Sequence, residues 1–190
     1  MTFHILTSDV VPAHQLGAYV ACDWSDVDNV RAGWSVAFGP VTHVLFLQEQ
    51  TGGEPPAPPP LSSAFQLERR ERQWLRAERS LPLIPPEIGI FELRTYDVRQ
   101  GQGASFLERM LGALPIRERY SRNFGIWSSL SGRLEQVLHL WGYRDLDERA
   151  AVRSQLKNDR HWTDYTATIL PMLETLQSTI LVPLPRCGPA

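Results

Sequence analysis

Chemically capable side chains recur at every second position in two short stretches of this chain. Glu92, Arg94 and Tyr96 form the first series; His139, Trp141 and Tyr143, with Val137 before them, form the second. Alternate residues of an extended strand share one face. The first series therefore sets an acid, a guanidinium and a phenol side by side, and the second sets an imidazole beside two aromatic rings. Such a set could hold a small molecule. Arg94 suits an anionic or enolate oxygen and Tyr96 a hydrogen bond to it. His139 suits the task of general base, because an unperturbed imidazole titrates at about 6.5. Trp127 and Trp141 would supply apolar stacking walls, with Glu92 and Tyr143 completing the binding surface. The same residues admit a purely structural reading. Polar groups taken out of water need partners. Glu92 paired with Arg94 or a neighbour, hydrogen-bonded Tyr96 and His139, and a space-filling Trp141 would meet that need without any ligand.

The elements that carry these residues form the second copy of an internal repeat. Trp34-Ser, Gly39 and Val44-Leu-Phe-Leu47 recur as Trp127-Ser, Gly132 and Val137-Leu-His-Leu140 at a constant offset of 93 (127 − 34 = 132 − 39 = 137 − 44). Upstream, Phe3-His-Ile-Leu-Thr-Ser8 faces Phe91-Glu-Leu-Arg-Thr-Tyr96 at an offset of 88 (91 − 3). Two copies indicate a duplicated domain and not a solenoid. The second copy reads as a strand at 89–98 ended by Gly101 and Gly103, then a helix with Phe106, Leu107, Met110, Leu111 and Leu114 on one stripe. A hairpin follows from 124–131 to 134–143, turning at Ser131-Gly132, then helices at 147–157 and 160–173 and a last strand at 179–184. This is the split βαβ, ferredoxin-like order.

The first copy reads as a strand at 3–11, a short helix at 13–20, a hairpin at 33–49 and a helix at 63–79, with a capping box of Ser63 and Gln66. On that helix Glu68-Arg-Arg-Glu-Arg72 is expected to be a solvated face. Between them, five prolines within 55–60 make 51–63 a stiff, extended loop. The expected fold is α+β: tandem ferredoxin-like halves at 1–86 and 87–185, followed by a tail at 186–190. At the repeat offsets, Glu92, Arg94 and Tyr96 fall opposite His4, Leu6 and Ser8, and His139 and Trp141 fall opposite Phe46 and Gln48. The polar set belongs to the second copy alone, so one ligand site per chain is expected.

Composition narrows the function classes. At 43% hydrophobic residues and a net charge of −2, the chain has the make-up of a globular protein with a core. It carries no basic footprint for nucleic acid. No apolar run approaches the ~20 residues of a membrane span, and the first residues read as neither signal nor transit peptide. Cys22 and Cys187 make no disulfide framework, which fits a reducing cytoplasm. Gly101-Gln-Gly103 follows a strand, but position 106 is Phe, so a simple turn is expected and not a dinucleotide loop. His4, His14, His43 and His161 lack metal-ligand spacing, and no Walker loop, HExxH or GxSxG occurs. Neither a metal nor an organic cofactor is expected.

The landmarks of the second copy resemble those of the NIPSNAP family in order and spacing. They are Glu92-Leu-Arg-Thr-Tyr96, Trp127, Gly132, Leu140-Trp-Gly-Tyr-Arg-Asp-Leu146, Arg149, Arg153 and Asp159-Arg-His-Trp162, ahead of Pro183-Leu-Pro185. The resemblance covers about residues 88–185. It implies a dimeric α/β-barrel type of architecture, two ferredoxin-like sheets facing each other with helices outside, closed either within one chain or across a homodimer. In such a barrel Phe91, Leu93, Thr95, Leu138 and Leu140 would face the helices. Glu92, Arg94, Tyr96, His139, Trp141 and Tyr143 would then face the lumen. A lumen open to Arg94 and His139 would mark an enzyme, and one packed shut by Trp127 and Trp141 a scaffold. The wider fold group includes cofactor-free monooxygenases, isomerases and decarboxylases. This implies oxygenation, isomerisation or cyclisation of a small apolar or aromatic molecule. Some animal family members act in mitochondria as binding or scaffold proteins, which implies the non-catalytic alternative.

Overall fold

The computed structural model describes residues 2–60 and 64–185. In the first half, β1 (Phe3–Val10), α1 (Leu16–Val20), β2 (Val30–Phe38), β3 (His43–Gln50) and β4 (Arg69–Arg79) follow in order. The second half holds β5 (Ile90–Val98), α2 (Gly103–Glu118), β6 (Arg122–Ser129), β7 (Gln136–Tyr143), α3 (Leu146–Asn158), α4 (Arg160–Ile169) and β8 (Leu173–Pro183). The halves have the strand orders β4-β1-β3-β2 and β8-β5-β7-β6, the ferredoxin-like order twice over. Pairing of β2 with β8 and of β4 with β6 joins the two sheets into one closed antiparallel barrel. Closure within a single chain leaves no strand edge that a second chain must complete.

Two elements depart from the sequence expectation. The stretch read as a helix at 63–79 is strand β4, and residue 63, half of the supposed capping box, lies outside the described residues. Charged residues with good helix propensity fill this segment, but tertiary pairing overrides propensity. Between β1 and β6 it completes both the first sheet and the barrel, and Leu75 alternates onto the lumen side, where it is fully buried. The last strand begins at Leu173, not near 179, because Pro171 ends the helix in a 3-10 turn at Leu170–Met172. Cys187 and the tail at 186–190 lie outside the described residues.

The lumen is a closed apolar core. Trp34, Leu45, Leu47 and Leu75 from the first half meet Phe91, Trp127, Leu138, Leu140 and Leu181 from the second. Only about 10 Å³ of space remains among them, no more than one water occupies. Leu81, Ile84 and Ile88 of the segment joining the halves pack against this cluster. Gly125, at φ +144°, is required for it: a Cβ there would fall within the Trp127 indole.

Outside the barrel the two halves differ. In the first half Tyr19, Trp24, Phe46 and Phe65 pack on the sheet around the short α1. The proline-rich segment lies over the same face, its Pro56 and Ala57 carbonyls accepting from Arg72 and Gln48. Buried Asp9 accepts from Tyr19 and, through both oxygens, from Arg70, so the run read as a solvated face anchors this layer. In the second half α2, α3 and α4 cover the sheet, with Asp145 and Asp159 capping the latter two. Among the described residues no helix is long and apolar enough to cross a membrane.

Candidate functional site

Strands β5 and β7 pair with Arg94 directly opposite His139 and Glu92 opposite Trp141. The alternation expected from sequence is present, but its direction is reversed. Phe91, Leu93, Leu138 and Leu140 belong to the lumen cluster. Glu92, Arg94, Tyr96, His139, Trp141 and Tyr143 point outward, under the helices. The reason is partner chemistry: eight strands leave a lumen that side chains fill, whereas the helices bring arginines and tyrosines able to satisfy a polar face.

Between that face and the helices lies a cavity of about 370 Å³. Its inner wall is Arg94, Tyr96, His139 and Trp141; α2 contributes Met110, Ala113, Leu114 and Arg117. Arg153, Leu156 and Lys157 come from α3, and Trp162, Tyr165, Thr166 and Ile169 from α4. The rings interlock. Tyr96 meets His139 edge-on at 4.7 Å between centroids, and the Arg117 guanidinium lies 4.4 Å over Trp141. Among the described residues, four cationic side chains and no carboxylate line the space.

His139 is held in one protonation state and one tautomer. Trp141 Nε1–H donates to its Nδ1 at 2.6 Å. An indole nitrogen is a donor only, so Nδ1 must be the bare nitrogen and Nε2 carries the proton. Burial, reinforced by Arg94, holds the imidazole pKa well below its ordinary value, so the ring is neutral at physiological pH. Among the described residues its buried Nε2–H has no partner, and neither has the Nε–H of Arg94. This geometry corrects the general-base role expected of His139, since the lone pair such a base needs is already engaged. The same ring is a donor.

Glu92 serves the site from behind. It is fully buried and accepts from Arg149 at 2.8 Å, Arg153 at 3.3 Å and Ser178 at 2.5 Å, with Arg94 3.8 Å away. Burial alone would raise its pKa, but hydrogen bonds from Arg149 and Ser178 and the charge of Arg94 bring it down to about 2. Tyr143 donates towards it while accepting from Arg117. Glu92 and Tyr143 thus form a structural network, while Arg94, Tyr96, His139 and Trp141 line the cavity. Trp127 joins neither. It lies in the lumen, donating to His4. Its repeat mate Trp34 lies in the same cluster, in the half without the polar set. That equivalence was the signal that Trp127 builds the fold.

Six further residues of the cavity and the Glu92 network are given no role by the sequence. Arg117 continues the buried stripe Phe106, Met110, Ala113 of α2, where an arginine is conspicuous. Arg149, Arg153 and Lys157 recur at four-residue spacing on α3 and so share a face. Trp162 and Tyr165 share a face of α4.

The NIPSNAP family model matches residues 91–187, half of the chain. The chain belongs to the NIPSNAP family. It is 30% identical to mouse NipSnap homolog 2 over 103 residues, covering 54% of this chain and 37% of the mouse protein. The Drosophila melanogaster NipSnap aligns further, over 168 residues at 26% identity, or 80% of this chain and 62% of that one. The chain thus spans less than two thirds of the length of each of these relatives. A NIPSNAP domain protein of Burkholderia xenovorans is 37% identical and superposes with a TM-score of 0.50 over 52% of this chain and 97% of its own. The whole barrel superposes on an anthrone oxidase-like protein with a TM-score of 0.71, covering 98% of this chain and 93% of that one, at 10% identity. At that identity the likeness concerns the fold. A single NIPSNAP domain therefore accounts for the second half, and the first half stands where a facing domain closes the barrel.

Proposed function

We propose that this protein binds a flat, largely apolar small molecule through an oxygen acceptor, and stabilises that oxygen as an anion, in the cavity between the second sheet and its helices. The observation that carries the reading is the pair of buried, unpartnered donors, His139 Nε2–H and Arg94 Nε–H, in two residues that line that cavity. A buried donor without a partner costs about 1–3 kcal/mol, which an acceptor on a ligand recovers. Aromatic rings and aliphatic side chains around the remaining wall suit an aromatic body, and the excess of cations favours its anionic form. An enolate or phenolate held in this way is electron-rich, the state from which isomerisation, cyclisation or attack on molecular oxygen proceeds. The pocket would then act as a cofactor-independent enzyme.

The second reading is a binding protein without turnover. It is favoured by one observation: Glu92 is locked among arginines and the His139 lone pair is engaged, so neither is free to take a proton. Both readings share the anion-binding step, and both place one site in each chain. 2-Naphthol, whose emission distinguishes phenol from phenolate, tests that step. The bound dye should ionise at lower pH than the free dye, with one equivalent per chain. Arg94→Ala should abolish the shift, while Leu6→Ala in the lumen should leave it intact in the folded fraction. A naphthol that binds without a shift, or shifts equally in Arg94→Ala, would refute the reading. Consumption of the bound phenolate under air, with no metal or flavin added, separates enzyme from binder.

A further inference from the structure

We infer that Trp141 is the specificity-determining residue of this cavity: by donating to His139 it makes the imidazole an obligate hydrogen-bond donor, so that the pocket accepts oxyanions and rejects ligands whose polar end is itself a donor. The inference rests on the proposed binding reading and deepens it by naming what the polar end of the ligand must be. A neutral histidine ordinarily presents either face, donor or acceptor, because its tautomers are close in energy. Here that freedom is removed. Trp141 Nε1–H sits 2.6 Å from His139 Nδ1, two residues away on the same face of β7. The rings stand at 90° to one another, and Trp141 is itself pinned beneath the Arg117 guanidinium at 4.4 Å.

The charged groups on the wall share one sign. Among the described residues, the unpartnered buried side-chain atoms of the cavity are His139 Nε2 and Arg94 Nε, both donors. Neither Glu92 nor any other carboxylate lines the space. A carboxylate, enolate or phenolate oxygen therefore finds charged and buried donors, whereas an ammonium or amide N–H finds only the neutral hydroxyls of Tyr96, Tyr165 and Thr166 to receive it and leaves the unpartnered donors unpaired. Discrimination of this kind works through the penalty on the wrong ligand, and a site built for hydrogen bonding enforces it strongly.

The test uses two probes with the same aromatic body, 2-naphthoate and 2-naphthylmethylammonium, with the intact chain and Trp141→Phe. In 15N-labelled wild type, long-range nitrogen–proton spectra at neutral pH should show His139 as the Nε2–H tautomer. In Trp141→Phe the ring should become a mixture of tautomers. Wild type should prefer 2-naphthoate, and the preference should fall by about tenfold or more in the variant, because the bare-Nε2 tautomer now gives the ammonium a charge-assisted hydrogen bond that wild type denies it. An Nδ1–H tautomer in wild type overturns the inference, and that spectrum decides even if Trp141→Phe does not fold. An unchanged preference in a folded Trp141→Phe protein also overturns it, while leaving the binding reading intact. Failure of both probes to bind wild type sinks the binding reading, and the selectivity claim with it, whatever the tautomer.

Discussion

Replacing Glu92 by glutamine removes one negative charge from beneath three arginines while keeping the side chain's size. The carboxylate titrates at about 2 in place of its ordinary 4.5, and each pH unit of that difference is worth 1.36 kcal/mol. Ionised Glu92 therefore stabilises the fold by about 3 kcal/mol at neutral pH. Breaking a fully buried pair can cost 3–5 kcal/mol. Here the side chains of Arg149 and Arg153 are 21% and 42% exposed and recover water in the variant, which keeps the loss at the lower end. Because the folded pKa is depressed, the stabilisation is complete above about pH 5 and is lost as pH falls towards 2. At pH 3 wild type has surrendered about 2 kcal/mol of it by linkage. Urea denaturation of both proteins at pH 7 and pH 3 measures the effect, since the remaining carboxylates titrate alike in each. Glu92→Gln should be about 3 kcal/mol less stable at pH 7, and the gap should narrow to about 1 kcal/mol at pH 3. Parallel losses in the two proteins would show that Glu92 does not hold its charge through the arginines, and the account of the network would fail.

Two further outcomes follow from the packing. Gly125→Ala should destabilise the fold by about 2–4 kcal/mol in chemical denaturation, because it combines a positive φ with a methyl group inside the Trp127 ring; a change below 1 kcal/mol would mean that the indole has room to move. Trp127→Phe should lower the melting temperature yet leave 2-naphthoate affinity unchanged in the folded protein, since Trp127 belongs to the lumen and not to the cavity. A clear loss of affinity would place Trp127 back in the site.

The repeat itself was legible because hairpins depend on local signals. Gly39 and Gly132 both adopt positive φ at the turns the offset of 93 aligned, and each tryptophan that precedes them is buried in the lumen. The order of elements in the second half was legible for the same reason, from periodicity and turn residues. The offset upstream was misjudged by one residue. Arg94 pairs with His139, and Phe46, the repeat mate of His139, pairs with Thr7, so the offset for the first strands is 87 (94 − 7). The counterparts of Glu92, Arg94 and Tyr96 are thus Ile5, Thr7 and Asp9. A one-residue slip exchanges the two faces of a strand, and sequence similarity over six residues does not exclude it.

Alternation determines that Glu92, Arg94, Tyr96, His139 and Trp141 share a face, because the period of a strand is a local property. Which side of the barrel that face meets is not local. It depends on what the opposite sheet and the helices bring, and here α2 and α3 bring Arg117, Arg149 and Arg153 to the outer side while the lumen receives mainly apolar partners. The same dependence turned a charged, helix-prone segment into β4, since its backbone ladder is made with β1 and β6, both distant in sequence. The tautomer of His139 was beyond the sequence for a narrower reason. Residues 139 and 141 share a face in any strand, but only the packing of Arg117 onto Trp141 and the burial of both rings aim an indole N–H at Nδ1 and leave Nε2 buried without a partner.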